Sequence, residues 1–155
     1  MTQQASIRPV TPEDEAAWRT LWTGYLEFYE TSVPEAVYSS TFSRILSANR
    51  GEPGTAYEPH GLFAQIDDRP VGLVHYIFHR HCWTLANVCY LQDLYAVPEM
   101  RGHGIGRALI EAVYSRADAA GSANVYWMTQ HFNADARKLY DRIAKVTPFI
   151  KYSRT

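Results

Sequence analysis

The stretch of residues 90–112 contains the residue types and spacing that could bind a phosphate group. Residues 88–97 have the composition of a β-strand, Pro98 ends that strand, and a helix is predicted soon afterwards. The first N–H groups of a helix have no partner within it, and the helix dipole adds partial positive charge there. Arg101 and Arg107 add full positive charges, so an anion site is predicted. Three glycines leave the connection free of side chains: Gly102, Gly104 and Gly106.

The spacing of these glycines excludes two common nucleotide-binding motifs. A dinucleotide fingerprint needs a third glycine three residues after the second, but Arg107 follows Gly104 and Leu109 follows Gly106 at that distance. A triphosphate-binding P-loop needs a Gly-Lys-Ser/Thr sequence, and none follows these glycines.

A second polar cluster lies on the last predicted helix, in residues 133–140. Asn133 and Tyr140 are seven residues apart, about two helical turns, so both side chains project from one face toward one ligand. Two structural alternatives stay open, because Asn133 could serve only as a helix cap and Tyr140 only as a packed core residue.

These two clusters resemble motifs of the GNAT family of N-acetyltransferases, which bind acetyl-coenzyme A. The first is similar to the family's pyrophosphate-binding signature, and the second to the helix whose asparagine and tyrosine contact coenzyme A. The order of predicted elements also matches the family over nearly the whole chain. The matching sequences are Arg101-x-x-Gly104-x-Gly106 and Asn133-x-x-Ala136-x-x-Leu139-Tyr140.

The resemblance implies an α/β GNAT fold, in which helices flank a mixed central sheet of about six to seven strands. It implies acetyl-coenzyme A as the acetyl donor and no metal. The residues expected to bind this cofactor are Leu94, Tyr95, Ala96, Arg101, Gly102, His103, Gly104, Ile105, Gly106, Arg107, Asn133, Ala136 and Tyr140.

Acetyl transfer to an amine also needs groups that handle protons. An amine with a pKa near ~10 is mostly protonated at neutral pH, so a carboxylate must remove its proton, directly or through water. Asp93 is the first candidate, with Glu27 and Glu30 as alternative acids. Strand alternation predicts that Gln92 and Asp93 face opposite sides, and Asp93 could equally be tied to a neighbouring backbone group or arginine. Tyr140 is the predicted proton donor to the leaving thiolate.

Residues 72–140 are most similar to the diamine and polyamine N-acetyltransferases, whose corresponding strand reads Leu-Glu-Asp. This chain has Gln92 in place of that glutamate, and an amide cannot take up a proton. We therefore expect a more aromatic acceptor pocket. Its expected residues are Glu27, Tyr29, Gln92 and Trp127.

The predicted function is transfer of the acetyl group to the primary amine of a small molecule or a peptide lysine. Direct attack within a ternary complex is expected, because neither Cys82 nor Cys89 adjoins the histidine and acid that would activate a nucleophile. One alternative is a non-catalytic acyl-coenzyme A sensor, which Gln92 supports and Tyr140 opposes. Another is a protein or histone lysine acetyltransferase, which would need an open peptide groove.

These residues must be positioned by elements whose order can be predicted from the sequence. A helix with an aromatic stripe is expected after Thr11, Pro12 and Asp14, and a second one after Ser32 and Pro34. A third follows the glycines and ends near Gly121, and the fourth begins at Asn133. Strands are predicted at residues 7–10, 62–66, 71–80, 88–97, 125–129 and 149–152.

Length and composition limit the remaining possibilities. The 155 residues contain no linker-like segment, so a single domain spanning 1–155 is expected. The formal net charge of −1 predicts no nucleic-acid partner, and the absence of a long apolar run predicts a cytoplasmic protein without a membrane partner.

The family resemblance implies a homodimer built partly from terminal strands. A metal site at His75, His79 and His81 is the less favoured interpretation of those histidines.

Overall fold

A computed structural model describes residues 4–155, so the first three residues of the predicted domain lie outside the described part. Five strands and four α-helices alternate in the order expected from the sequence up to the last helix. The strands are β1 (Ser6–Pro9), β2 (His60–Ile66), β3 (Arg69–His79), β4 (Val88–Ala96) and β5 (Val125–Tyr126). The helices are α1 (Glu15–Phe28), α2 (Glu35–Asn49), α3 (Ile105–Ala119) and α4 (Ala134–Ile143).

The strands form one mixed sheet in the order β1-β2-β3-β4-β5. The first four are antiparallel neighbours, and β5 joins β4 in parallel. The turn between β2 and β3 consists of Asp67 and Asp68, whose φ angles of 49° and 62° suit a tight two-residue hairpin. The predicted α/β fold with a mixed, helix-flanked sheet is confirmed.

Each face of the sheet buries its own apolar cluster. Helices α1 and α2 cover one face, where Trp18, Phe42 and Phe63 are almost completely buried. Helix α3 covers the other face, where Leu109 and Val113 pack against the strands. On this second face a Cβ atom at Gly72 would lie only 2.6 Å from Ile105, so glycine is what lets the start of α3 approach β3 closely. The two apolar clusters therefore lie on opposite faces of the sheet.

The predicted helix boundaries are confirmed at three places. The Asp14 carboxylate accepts a hydrogen bond from the Thr11 backbone N–H at 2.8 Å, as a capping acid should. Pro34 immediately precedes α2, and Gly121 follows α3 with a φ of 72°, the left-handed conformation that ends many helices.

A β-bulge interrupts the regular alternation along β4 at Gln92. His75 pairs with Asp93 and the next residue, Tyr76, pairs with Leu91, so Gln92 has no partner on β3. This β-bulge places Leu91 in the cluster under α3, whereas Asp93 joins its partner His75 on the α1 side. Strict alternation would have put Leu91 and Asp93 on the same face, but the extra residue reverses it.

Strand β5 is shorter than predicted, because only Val125 and Tyr126 pair with β4. Their partners, Cys89 and Tyr90, precede the bulge. Among the described residues, the pairing of β4 with β5 ends at Tyr90 and Tyr126. The unpaired stretch beyond these two residues is called the gap between β4 and β5.

The predicted final strand at residues 149–152 is also wrong. This segment has no regular secondary structure, with Phe149, Ile150 and Tyr152 exposed by 80%, 76% and 88%. A strand needs an edge with free N–H and C=O groups, and residue composition alone does not supply one. The described residues thus form five strands rather than six or seven.

The homodimer stays a prediction. No helix within residues 4–155 is both long and apolar enough to cross a bilayer.

Candidate active site

The glycine-rich connection forms an open cradle before α3. Gly102 and Gly104 have φ angles of 82° and 79°, and no atom lies within 4 Å of the position a Cβ would take at either residue. Gly104 directly precedes α3, and its carbonyl accepts the Ala108 N–H at 3.0 Å. The N–H groups before Ala108 in this helix lack intrahelical acceptors and are available for an anion.

The basic side chains of this loop already have partners. The Arg101 guanidinium lies over the rings of Phe28 and Tyr95, 5.4 and 5.8 Å from their centroids. Arg107 contacts Glu111 at 2.8 Å in an exposed pair one turn apart. Exposed pairs of this kind contribute only about 0.3–0.5 kcal/mol, so an anion can compete for Arg107. Arg101 links the loop to the end of α1.

The end of β4 and helix α4 border the same loop. Leu94 and Ala96 pack with the α3 cluster, whereas Tyr95 packs on the α1 face. A Cβ at Gly106 would lie 3.5 Å from Leu139 and 3.9 Å from Leu94, so α4 contacts the first turn of α3. The structure thus brings together the two motifs that the sequence separates by 26 residues.

The third residue of this loop, His103, directs its Nδ1 at the Met100 and Arg101 carbonyls.

Asn133 and Tyr140 lie at the two places on α4 that the spacing predicts. Asn133 precedes the helix, but its side chain does not cap it and donates instead to the Thr129 hydroxyl at 3.2 Å. Tyr140 meets Trp127 edge to face, with ring centroids 5.4 Å apart. Burial, together with the nearby Tyr29, raises the pKa of Tyr140 to about 12. Its hydroxyl is therefore protonated at neutral pH and can donate a hydrogen bond.

Asp93 is the centre of a buried polar network on the other face of the sheet. Its carboxyl is 8% exposed and accepts hydrogen bonds from His75 Nδ1 at 2.8 Å and Trp22 Nε1 at 3.2 Å. Burial raises the pKa of this carboxyl, but the donors, His75 first, outweigh burial and leave it below its usual value. Asp93 is thus a stable, charged acceptor.

The two halves of the site meet where β4 and β5 separate. Tyr25 packs with the cluster beneath α1, and its ring centroid lies 5.0 Å from that of Tyr29. Tyr140 packs with the α3 cluster on the opposite face of the sheet. Phenol side chains therefore lie on both faces of the sheet.

The remaining residues predicted to bind the acceptor amine lie in separate places. Gln92 is exposed at the bulge, and Trp127 packs between Tyr114 and Tyr140 on the α3 face. Glu27 and Glu30 line a shallow depression with Thr31 and Ser32 at the end of α1.

Comparison with known proteins decides the family. Residues 16–144 match the family model described as the acetyltransferase (GNAT) family, which includes both motifs and the gap between β4 and β5. This chain is a GNAT acetyltransferase. The order of elements up to α4 is accordingly the one that the resemblance implied.

Relatives and solved structures agree with this assignment. The GNAT chain is 36% identical over 148 residues to the D-amino-acid N-acetyltransferase HPA3 of Saccharomyces cerevisiae, covering 96% of this chain and 89% of that protein. It is 35% identical over 89 residues to the thialysine N-epsilon-acetyltransferase of Mus musculus, covering 52% of each. AAC(6')-Iy, solved with a coenzyme A bisubstrate analogue of acetylneamine, has a TM-score of 0.81 at 17% identity, covering 97% of each chain. This last similarity concerns the fold.

Sequence reasoning missed the partners of Asp93 in this GNAT site. Trp18 and Trp22 belong to the aromatic stripe predicted on the first helix, and His75 belongs to the less favoured metal site. A buried indole N–H or phenol usually needs a hydrogen-bond acceptor. This requirement was the signal in the sequence that could have pointed to the network around Asp93. No group of three or more His, Cys, Asp or Glu side chains in the described part of the chain is arranged to hold a metal.

The Asp93 network predicts how stability varies with pH. Because folding lowers the pKa of Asp93, its charge stabilises the fold above the unfolded-state pKa near ~3.9, and this contribution is lost as pH falls through the lower folded value. We expect Asp93→Asn to lower the free energy of unfolding by about 2–4 kcal/mol at neutral pH and by less at pH 3. Urea unfolding between pH 3 and pH 7 measures this difference.

Glu52→Gln is the control, because Glu52 forms only an exposed pair with Arg50. Its effect should stay within about 0.5 kcal/mol at every pH. If Asp93→Asn lowers the free energy of unfolding by the same amount at every pH from 3 to 7, Asp93 is not an ionised, hydrogen-bonded carboxylate.

Proposed function

We propose that this GNAT enzyme transfers the acetyl group of acetyl-coenzyme A to the primary amine of a small molecule within a ternary complex. The observation that carries the proposal is the gap between β4 and β5. The phosphate cradle and Tyr140 lie on its α3 side, and Asp93 with Tyr25 and Tyr29 lies on its α1 side. A donor and an acceptor entering from these two sides would meet in the gap.

The residues of the loop fit the donor. Acetyl-coenzyme A supplies a thioester whose carbonyl carbon accepts the amine, and its pyrophosphate matches the open cradle at Gly102 and Gly104. Arg107 would exchange its exposed pairing with Glu111 for a phosphate. Asn133, whose amide is not used as a cap, would hold the pantetheine amide region from α4.

The proposed reaction needs no covalent enzyme intermediate. The neutral amine nitrogen bonds to the carbonyl carbon, the C–S bond breaks, and the nitrogen loses one proton while the thiolate gains one. Tyr140 would donate a hydrogen bond to the departing sulfur. With a pKa near 12, well above that of a thiol at about 8.5, Tyr140 would stabilise the thiolate more than it protonates it. Neither cysteine takes part, and Cys89 is fully buried with a pKa raised by burial to about 12.

The acceptor proposed is an amino acid or another compact amine. Support comes from the similarity over nearly the whole chain to an enzyme named for D-amino acids. The phenol-lined gap also suits a small acceptor with an apolar or aromatic part. Thialysine is the second candidate, because of the match to the mouse enzyme over half of this chain. Direct proton removal by Asp93 stays a prediction, and the two donors on that carboxyl favour an indirect role.

An acceptor panel tests the proposal. Coenzyme A release should be measured with D- and L-amino acids, thialysine, putrescine, spermidine and a lysine-containing peptide, each with acetyl-coenzyme A. We expect the highest kcat/KM with an amino acid or thialysine. Acetylation of the peptide alone would favour a protein lysine acetyltransferase. Tight binding of acetyl-coenzyme A without turnover of any amine would favour the sensor alternative.

A substitution at Gly104 tests the donor site. Asp and Asn fit a left-handed backbone similarly, but only Asp adds negative charge beside the pyrophosphate. We expect Gly104→Asp to weaken acetyl-coenzyme A binding at least about tenfold more than Gly104→Asn does, as measured by calorimetry. Gly54→Asp, at another open glycine with a φ of 82°, should leave the affinity unchanged. Equal affinities for the two Gly104 variants would remove the phosphate from this loop.

Removing one hydroxyl tests Tyr140. Tyr140→Phe keeps the ring against Trp127, so acetyl-coenzyme A affinity should stay within several-fold while kcat falls by about 10- to 100-fold. Tyr114→Phe is the matched control, since it removes a hydroxyl that donates only to the Ile143 carbonyl. If both variants keep the rate of the natural enzyme at saturating substrates, Tyr140 is a packing residue.

A further inference from the structure

The side chain of Tyr126 lies across strand β4 on the α1 side of the sheet. Its neighbours in the chain, Val125 and Trp127, both pack with the α3 cluster, so Tyr126 between them faces the other way. Its ring stacks on that of its β4 partner Tyr90, with centroids 4.9 Å apart and ring planes 20° from parallel. Its hydroxyl lies 2.7 Å from Nε2 of His79, which belongs to β3. Because β4 separates β3 from β5, Tyr126 reaches over β4 to make this contact.

The hydrogen bond between Tyr126 and His79 has a fixed direction. Nδ1 of His79 lies 2.7 Å from the Arg80 carbonyl oxygen, which can only accept, so the hydrogen of the neutral ring is on Nδ1. Nε2 then carries only a lone pair, and the Tyr126 hydroxyl donates to it. Burial raises the pKa of Tyr126, so the phenol keeps this hydrogen at neutral pH. Tyr126 is thus held both at its ring and at its hydroxyl.

Tyr126 lies at the end of the gap where β4 and β5 are still paired. Tyr90 and Tyr126 are the last pair of these strands, and the buried Asp93 lies three residues further along β4. On the other side of Tyr126, β3 and β4 extend only to His79 and Val88 before their largely exposed connecting loop. The Tyr126 side chain therefore separates the gap from that loop. It is 39% exposed, so a ligand in the gap can touch it.

We propose that Tyr126 is a specificity-determining residue that limits the length of the acceptor, and that His79 is the positioning residue that holds Tyr126 in place. The proposal rests on the acetyl transfer proposed above. An acceptor whose amine faces the thioester extends along β4 from the gap toward Tyr126. A short acceptor fits in this space, whereas a longer one collides with the stacked rings of Tyr126 and Tyr90. A steric clash of this kind discriminates between partners as effectively as an attractive contact does.

The two contacts of Tyr126 oppose its displacement by a long acceptor. Such an acceptor could pass only if the ring rotated away from Tyr90 and the hydroxyl left His79. Both interactions would be lost together, because the ring and the hydroxyl move as one unit. Removing the ring by substitution opens a path over Tyr90 toward the loop between β3 and β4. Removing only the hydrogen bond leaves the ring in the path but frees it to move.

Tyr126→Ala tests the length limit, because it removes both the ring and the hydroxyl. D-alanine and the dipeptide D-alanyl-D-alanine present the same reacting amine and differ in length. Putrescine and spermine, which both end in primary amines, form a second such pair. We expect Tyr126→Ala to raise the ratio of kcat/KM for the longer member over the shorter one at least about tenfold, as measured by coenzyme A release. A general loss of activity or of folded protein cancels in this ratio.

Tyr57→Ala is the matched control, since Tyr57 is an exposed tyrosine in the loop between α2 and β2. Its ratio should stay within about twofold of that of the natural enzyme. A ratio that Tyr126→Ala leaves unchanged for both pairs would overturn the proposal, whatever happens to the separate rates.

Substitutions at His79 test the positioning part. Leu offers no acceptor to the Tyr126 hydroxyl, whereas the side-chain oxygen of Gln can take the place of Nε2. We expect His79→Leu to raise the ratio of long to short acceptors at least about threefold, and His79→Gln to raise it less. In Tyr126→Phe, which already lacks the hydroxyl, His79→Leu should change the ratio no further. A further rise in that background would show that His79 does not act through Tyr126.

A binding measurement separates this proposal from the proposed function. The four amines are each titrated calorimetrically into the natural enzyme and into Tyr126→Ala, both saturated with coenzyme A. Suppose that the longer member of a pair binds Tyr126→Ala at least about fivefold more tightly than it binds the natural enzyme, and that the shorter member does not. The length limit then stands even when no turnover occurs, and only the transfer reaction fails. Equal changes for both members, or no binding of any amine to either protein, would overturn the length limit.

Discussion

The arrangement of the site depends on one irregularity, the β-bulge at Gln92. Without it, Leu91 and Asp93 would lie on the same face of β4, and the carboxylate would enter the apolar cluster beneath α3. The bulge instead directs Asp93 to the donors of α1 and β3. The pairing of β4 with β5 ends before the bulge. One unpaired residue thus sets on which face of the sheet the buried charge lies.

Burying a carboxylate is costly unless several donors meet it. Here the donors come from two elements, since Trp22 belongs to α1 and His75 belongs to β3. Each donor is itself fixed, His75 by Trp18 and the indoles by the packing of α1 against the sheet. The polar network therefore fixes the rotation of α1 about its axis. That rotation packs Tyr25 into the cluster on the Asp93 side of the sheet.

The parts that the sequence predicted are those governed by local rules. Gly102 and Gly104 require a left-handed backbone, and Asn133 and Tyr140 follow helical spacing, so each motif could be found without its neighbours. The bulge at Gln92 depends on the register between two strands, and the unpaired residues 149–152 depend on whether an edge is available. The Asp93 network joins residues up to 71 positions apart. Periodicity detects none of these, because it describes one element at a time.

The two sides of the gap differ in whether backbone groups or side chains face it. The side proposed to bind the acetyl donor is largely backbone, with bare glycines and the first turn of a helix, so few substitutions there can change what it binds without also changing the shape of the chain. The side proposed to bind the acceptor consists of side chains from α1 and from the bulge. Exchanging one phenol for another residue on α1 would leave the cradle intact. With the two sides assigned as proposed, single substitutions in a lineage would change acceptor preference while the acetyl donor is inherited unchanged.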